Sequence, residues 1–342
     1  MLKVSLLIPT KERPADLKAC FDSLAKQTYK NFEVIIVDAS VSSDTENLCS
    51  DYASAVNIKY IRQKKDGFVG AVLDGLPEVT GDIFTRTDDD IIAESGWIQE
   101  IVRTFGLSED IGGVTGPALI PEDRLSDRDL IKFNLKLRDP NNIFLKALKI
   151  LYHDYIMEGD PFAVARFFKS GAFSLGSGFA HCLKAITEPV EVDYLESCNW
   201  SVRKGLLDRI GGFDPRFIGV GDYFEADAAY KIKGLGYRMV FSPNIKIRHM
   251  VSRGGSFESR SNAYARSRNF VLFYYRQIKP NTIDKIIRFM SYLFLMNSYF
   301  VFSFLKTGNT AHLGGIYGTA DGMVRYLPEV FLYNSLQRKQ NG

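Results

Sequence analysis

The 342-residue sequence predicts an α/β fold on a mainly parallel, doubly wound sheet, followed by a helical C-terminal region that associates with a membrane. Three observations carry this expectation. Through the first hundred residues, short apolar runs alternate with segments of helical spacing, the pattern of strand–helix–strand units. The apolar runs end on chemistry-bearing residues: Pro9-Thr10, Asp38 and Asp88-Asp89-Asp90. From about Thr282 the alternation stops and the chain turns aromatic.

Each element follows from its local pattern. Residues 3–8 form a first buried strand, and residues 15–26 a helix with Leu17, Cys20, Phe21 and Leu24 on one face. Residues 33–37 give a second strand ending at Asp38, and residues 45–55 a helix capped by Ser43 or Asp44. Residues 58–61 and 82–87 are further strands around a helix at 68–76. The middle is less regular: a charged stretch at 122–128, an apolar helical run at 143–155 and a glycine- and serine-rich loop at 171–179. Short strands return at 238–241 and 245–249. In a doubly wound sheet ligands bind beyond the carboxyl ends of the strands. Pro9, Thr10, Asp38 and the three acids should therefore meet in space.

Composition sets bounds on function. With 46% hydrophobic and 24% charged residues the chain is globular in character. A net charge of +3 is too small to suggest a nucleic-acid binder. Cys20, Cys49, Cys182 and Cys198 are scattered without a CxxC pair, which supports neither a zinc ribbon nor a disulfide scaffold and fits a reducing compartment. The opening residues MLKVSLLIPT are too short an apolar run for a signal peptide.

Three clusters carry candidate chemistry. Adjacent carboxylates at Asp88–Asp90 repel one another, and at a strand end they call for a counter-charge. A divalent ion, Mg2+ or Mn2+, is the usual remedy, because it takes oxygen ligands and bridges to phosphates; a solvated acidic loop is the bland alternative. Glu225 and Asp227 form a second acidic pair, able to divide proton abstraction and orientation between them, or simply to complement the dipole at a helix start. His249 follows a strand-like run and could complete a shell of carboxylates and phosphate oxygens. Gly254 and Gly255 after it would allow a lid.

In sequence order these motifs resemble a family-2 glycosyltransferase with the GT-A fold, the Rossmann-like fold of nucleotide-diphospho-sugar transferases. VSLLIPTKERP (4–14) resembles its opening strand and nucleotide loop, FEVIIVDAS (32–40) its second strand, and TDDD (87–90) its DxD motif. CNWSVRKGLLDRIGGFDPRF (198–217) resembles its acceptor-side signature, and EADAAYKIKGLGYRMVFSPNIKIRH (225–249) its acidic-pair helix and terminal histidine. The resemblance implies nucleotide contacts from Pro9, Thr10, Arg13, Asp38, Lys65 and Asp88. It implies a metal held by Asp88, Asp90 and His249, with Asp90 the direct ligand. It implies catalysis by Glu225 as base with Asp227 beside it, and acceptor contacts from Asn199, Trp200 and Arg203. Two departures stand out: Asp38 is followed by Ala39 rather than a second acid, and Ala71-Val72-Leu73 replaces a frequent Ala-Arg-Asn, leaving Lys64 and Lys65 to supply positive charge. No QxxRW motif is present, which argues against a processive polymer synthase.

The implied activity is inverting transfer from a UDP- or GDP-sugar to a glycan or lipid-linked acceptor, with no nucleic acid involved. A sugar-nucleotide nucleotidyltransferase and a non-catalytic sugar-nucleotide-binding scaffold are the rival readings. Pro9–Pro14 lacks the glycine-rich loop of the first, and the intact acids speak against the second. The expected organisation is a catalytic domain over residues 1–255, its nucleotide half at 1–120 and its acceptor half at 121–255, then a helical region at 256–342. Residues 289–305 run uncharged for 17 positions, about 25 Å as a helix, between Arg288 and Lys306, and residues 324–336 add a second apolar stretch. They read either as packing helices or as shallow anchors on the cytoplasmic face of a membrane.

Overall fold

The computed structural model describes residues 1–121, 128–178, 180–252 and 262–340; the side chains of 128–131, 178, 180–181 and 329–340 lie outside the description, as do Gly254 and Gly255 of the expected lid. Eleven strands form two sheets among the described residues. The strands are β1 (Val4–Thr10), β2 (Phe32–Asp38), β3 (Ile58–Arg62), β4 (Ile83–Thr87), β5 (Ile91–Ala93), β6 (Ile111–Thr115), β7 (Ala118–Leu119), β8 (Val190–Val192), β9 (Asn199–Arg203), β10 (Arg238–Phe241) and β11 (Ile247–His249). The helices are α1 (Pro14–Leu24), α2 (Asp44–Tyr52), α3 (Gly67–Gly75), α4 (Trp97–Phe105), α5 (Arg128–Arg138), α6 (Ile143–Lys149), α7 (Ala180–Lys184), α8 (Lys204–Arg209), α9 (Phe224–Lys233), α10 (Ala263–Phe273), α11 (Ile283–Thr307) and α12 (Gly314–Gln340).

The main sheet has the order β3-β2-β1-β4-β9-β6-β10-β8. Its first four strands are mutually parallel, as the alternation predicts. β1 and β2 are apolar almost throughout and buried on both faces, which is what a parallel strand covered by helices requires. β9 enters antiparallel between β4 and β6 and joins the two halves of the sheet. The small sheet β5-β11-β7 places His249 of β11 opposite Ile91, directly after the acidic run.

The core crosses the boundary expected at residue 255. Phe270, Val271, Leu272, Phe273 and Tyr274 are fully buried and share one apolar cluster with β4, β9 and α9. α12 lies close against α10: a Cβ at Gly322 would stand 2.8 Å from Val271 Cβ, so glycine permits the crossing. α10 therefore belongs to the body built on the main sheet rather than to an appendage.

α11 behaves differently. Phe289 and Leu293 face the core, and the Phe289 ring stacks on Tyr274 at 3.7 Å between centroids. Ile283, Ile287, Met290, Phe294, Val301 and Leu305 of the same helix are exposed.

Candidate active site

A cleft of about 1010 Å³ opens at the carboxyl ends of β1, β2 and β4. Pro9, Thr10, Arg13, Lys65, Asp88, Glu225 and His249 line it, as the sequence leads one to expect. Lys11, Arg62 and Lys64 add positive charge along the wall.

The three acids after β4 have separate tasks. Asp89 is fully buried; it accepts a hydrogen bond from Thr10 Oγ1 at 2.7 Å and pairs bidentately with Arg13, whose Nε lies 3.1 Å away. Burial pushes the Asp89 carboxyl up to about 7, whereas Arg13 is raised despite its own burial because the carboxylates favour its charge. The fork geometry requires an ionised carboxylate, so the contact stands as an ion pair. Asp89 thus staples the loop after β1 to the end of β4.

Asp88 and Asp90 turn instead toward His249. His249 Nε2 lies 3.4 Å from Asp88 Oδ2 and 3.2 Å from Asp90 Oδ1. Ser252 N–H donates to Asp90 Oδ2 at 2.8 Å. Burial opposes ionisation of Asp90, but His249, the Ser252 amide and Arg13 hold it below the usual carboxylate range. Burial likewise opposes a charged His249, while Cys198, Asp90 and Asp88 push it up to about 11. Burial raises the Cys198 thiol as well.

That arrangement fits a divalent cation. Asp90 Oδ1 and His249 Nε2 are both buried without a well-formed hydrogen bond, and two carboxylates converge on one imidazole nitrogen. Asp88 and Asp90 offer hard oxygen donors and His249 one imidazole, the kind of donors that Mn2+ or Mg2+ takes. The three donor atoms that lie within 4.8 Å of one another, however, are those of Asp88, His249 and the thiol of Cys198, which the sequence did not single out.

Arg86 links this cluster to the acid of α9. It is buried in β4, donates to Asp88 Oδ1 at 2.6 Å and to the Ser197 carbonyl, lies 3.4 Å from Glu225 Oε1, and stacks 4.6 Å from the Phe68 ring centroid. A charged residue inside the apolar run IFTRT is the signal that could have found it. Glu225 is buried in the first turn of α9; burial foremost pushes it up to about 7, Arg86 pulls down, and Asp88 and Glu196 push up. The loop before it takes left-handed backbone at Gly219, Gly221 and Tyr223. Tyr223, a non-glycine at φ 72°, marks stored strain beside the acid.

Several sequence-derived assignments are corrected. Asp227 is outside the cleft lining: Gln277 Nε2 donates to it at 2.6 Å and Lys231 Nζ pairs with it at 2.7 Å. Two residues apart on a helix, Glu225 and Asp227 point different ways. Asn199, Trp200 and Arg203 do not reach an acceptor, because β9 is an interior strand. Asn199 donates to the Gly116 and Ile245 carbonyls at 3.1 and 2.7 Å and accepts from Trp97 Nε1. Arg203 donates to the Ile111, Phe105 and Ser108 carbonyls, and Trp200 is fully buried core. Asp38 has no exposure; Ser40 N–H, Tyr60 hydroxyl and Arg62 already bond its oxygens, so it supports the cleft wall from behind. Asn262 and Arg266 of the C-terminal region line the cleft, which the sequence reading did not foresee.

The sheet order, the second small sheet and the acid cluster at the strand ends define a GT-A glycosyltransferase fold. Residues 5–167, just under half of the chain, match the model of Glycosyl transferase family 2. It is 29% identical over 126 residues to GalNAc(5)-diNAcBac-PP-undecaprenol beta-1,3-glucosyltransferase of Campylobacter jejuni, covering 36% of this chain and 40% of that one. Its fold resembles mannosyltransferase PcManGT from Pyrobaculum calidifontis, solved with GDP-Man and Mn2+, at 15% identity and TM-score 0.52, covering 99% of this chain and 80% of that one. It also resembles S. aureus TarS 1-349 in complex with UDP-GlcNAc, at 13% identity and TM-score 0.55, covering 94% and 81%. The curated sequence relatives are matched over less than half their length, from 15% in one to 46% in another.

Proposed function

We propose that this chain is an inverting, metal-dependent transferase that takes a sugar from a UDP- or GDP-linked donor and delivers it to a hydroxyl of a glycan or lipid-linked acceptor. One observation carries the reading. A metal-competent cluster and a buried carboxyl raised to about 7 face a single cleft, with Arg86 between them. The relatives' donors, GDP-Man in one and UDP-GlcNAc in another, lend the donor class.

The base of the donor lies toward Pro9, Ser40 and Arg62, and its diphosphate toward Arg13, Lys65 and Asp88. Asp88, Asp90 and His249 would hold the cation. When bound, that cation neutralises charge developing on the departing diphosphate. Glu225 takes the proton of the acceptor hydroxyl. The acceptor oxygen bonds to the anomeric carbon as the bond from that carbon to the diphosphate oxygen breaks, and the configuration inverts. A carboxyl poised near neutrality is suited to this proton transfer. Asp227 is left with a structural part.

The same reading places the chain on the cytoplasmic face of a membrane. α11 has 25 residues, a mean hydropathy of 1.3 in its most apolar window, and only 11% of that window is buried. Because Phe289 and Leu293 fasten it to the catalytic body, lipid cannot ring it, which favours a helix lying in the interface over one that spans. A lipid-linked acceptor would then be presented near the cleft; the C. jejuni relative carries undecaprenol in its name.

The test is a panel of nucleotide-sugars with Mn2+ or Mg2+, scored by thermal shift and by nucleoside diphosphate release. Turnover should need the metal, and Asp90→Asn should abolish metal-stimulated release while the protein still folds, with a melting temperature no higher than that of wild type because the ionised carboxylate is held by His249, Ser252 and Arg13. Full activity in chelator-treated buffer would overturn the metal-dependent mechanism.

A further inference from the structure

Tyr194, Leu195, Glu196 and Ser197 form a wall of the cleft immediately before β9. The segment is fixed in place, because Glu196 N–H donates to Thr115 Oγ1 at 3.0 Å at the end of β6. The Glu196 carboxyl group is only partly satisfied: the Ser177 side chain bonds it, but its Oε1 is buried and has no hydrogen-bond partner among the described residues. Native proteins rarely leave such an atom bare, and an orphan in a cleft wall calls for a donor that arrives with a ligand.

The company it keeps in the cleft says which ligand group that is. Glu196, His249 and Glu225 line the same cleft, and Glu196 interacts electrostatically with both. Glu225 Oε1 is itself buried without a hydrogen bond. The leaving diphosphate belongs at the His249 pole and the attacking hydroxyl at the Glu225 pole. The ring in transit lies between them, in the cleft whose wall includes Glu196. What a sugar ring offers at that point is hydroxyl donors, and a carboxylate is acceptor-only.

We propose that Glu196 accepts a hydrogen bond from a hydroxyl of the sugar ring being transferred and so selects the donor by the position of that hydroxyl. This rests on the transferase reading above. A site built to bond a substrate hydroxyl rejects analogues that lack or misplace it far more strongly than an apolar pocket can. Glu196 is thus a specificity residue for the donor sugar, distinct in role from Arg13 and Lys65, which serve the nucleotide.

The experiment compares wild type, Glu196→Ala and Glu196→Gln with UDP-glucose, UDP-galactose, UDP-N-acetylglucosamine and GDP-mannose, and with free UDP and GDP, in Mn2+. Binding is read by calorimetry and donor consumption by nucleoside diphosphate release. For the preferred donor, Glu196→Ala should lower kcat/KM by about 10- to 100-fold and shrink the preference over the other sugars by about tenfold, the scale of one lost charged acceptor. Affinity for free UDP or GDP should move less than about twofold. Glu196→Gln keeps one acceptor oxygen and should fall between. An unchanged preference in both variants overturns the proposal, and so does an equal loss of free nucleotide binding or failure of both variants to fold. If wild type binds none of the panel, the transferase reading falls and this inference with it; if wild type binds and the variants match it, this inference falls alone.

Discussion

The cleft end of the main sheet and the C-terminal helices are built on opposite principles. Around the cleft, buried polar groups are tied to one another: Thr10 and Arg13 to Asp89, Arg86 to Asp88 and Glu225, Ser252 to Asp90. In α11 the charged groups sit at the ends and the exposed middle is mostly apolar, from Met290 through Phe294 to Leu305, with Ser298 among it. One region buries charge and the other exposes grease. Each is costly in water alone, the first without a counter-ion and the second without a covering surface. The contrast teaches that both regions are shaped for something outside the chain, and that they are joined through α10 and the turn at Tyr274–Ile278.

The largest effect expected from breaking this contrast lies at Glu225. Glu225→Gln keeps the shape and cannot take a proton, so turnover with a hydroxyl acceptor should fall by about 100-fold or more, with donor binding nearly unchanged. The pH profile sharpens the point. Burial raises Glu225 to about 7, and a base works only when ionised. The kcat/KM of wild type should therefore climb as pH rises through about 7 and flatten above it, with about a tenth of the plateau left at pH 6. A profile flat from pH 5 to 8 would remove Glu225 from the role.

A middle-sized effect separates the site from its support. Asp227 stands on the catalytic helix but binds Gln277 and Lys231 and lies 3.8 Å from Arg276, which itself bonds Asp214. It fastens α9 to the start of the C-terminal region. Asp227→Asn should cost about 1.5–3 kcal/mol, the scale of a hydrogen bond to a charged group, and lower the melting temperature by roughly 2–4 °C for each kcal/mol. Turnover by the folded fraction should stay within about tenfold of wild type. A 100-fold loss of turnover at unchanged melting temperature would return Asp227 to the chemistry.

These cases show what the sequence could and could not disclose. The first four strands were legible because a doubly buried parallel strand has to be an apolar run, and its end is where polar chemistry can begin. That Thr10, Arg13, Asp88 and His249 gather around one cleft followed from that rule and from the family resemblance. β9 was misread because NWSVR is polar for another reason. Where strands change direction they leave carbonyls outside the ladder, and Asn199 and Arg203 serve those carbonyls from inside the core. Arg86 and Glu196 were missed because each gains its role from a neighbour far along the chain, Glu225 for the one and Thr115 and His249 for the other. α10 was placed outside the catalytic body because a helix-only segment shows which face is apolar but not which surface that face meets.

The smallest effect on activity, and none on folding, is expected at the exposed face of α11. Phe294 and Leu305 are 67% and 74% exposed, so replacing both with serine removes little native packing and should change stability by no more than about 0.5 kcal/mol. Their work, on this reading, is done against lipid. Sedimentation with vesicles of mixed anionic and zwitterionic phospholipid should show wild type bound and the Phe294→Ser/Leu305→Ser variant bound at least about tenfold more weakly, since burying either side chain is worth about 1.5–3 kcal/mol. Lys285 and Lys306 at the two ends should add about 1 kcal/mol each for a surface-adjacent cation, so binding should also weaken as salt is raised. Turnover with a soluble acceptor should be the same in both proteins, because the cleft does not include α11. Should wild type stay in the supernatant with such vesicles while forming a dimer that the double variant does not, the exposed stripe is a face for a second copy, and the case for a lipid-linked acceptor loses the support that this helix gives it.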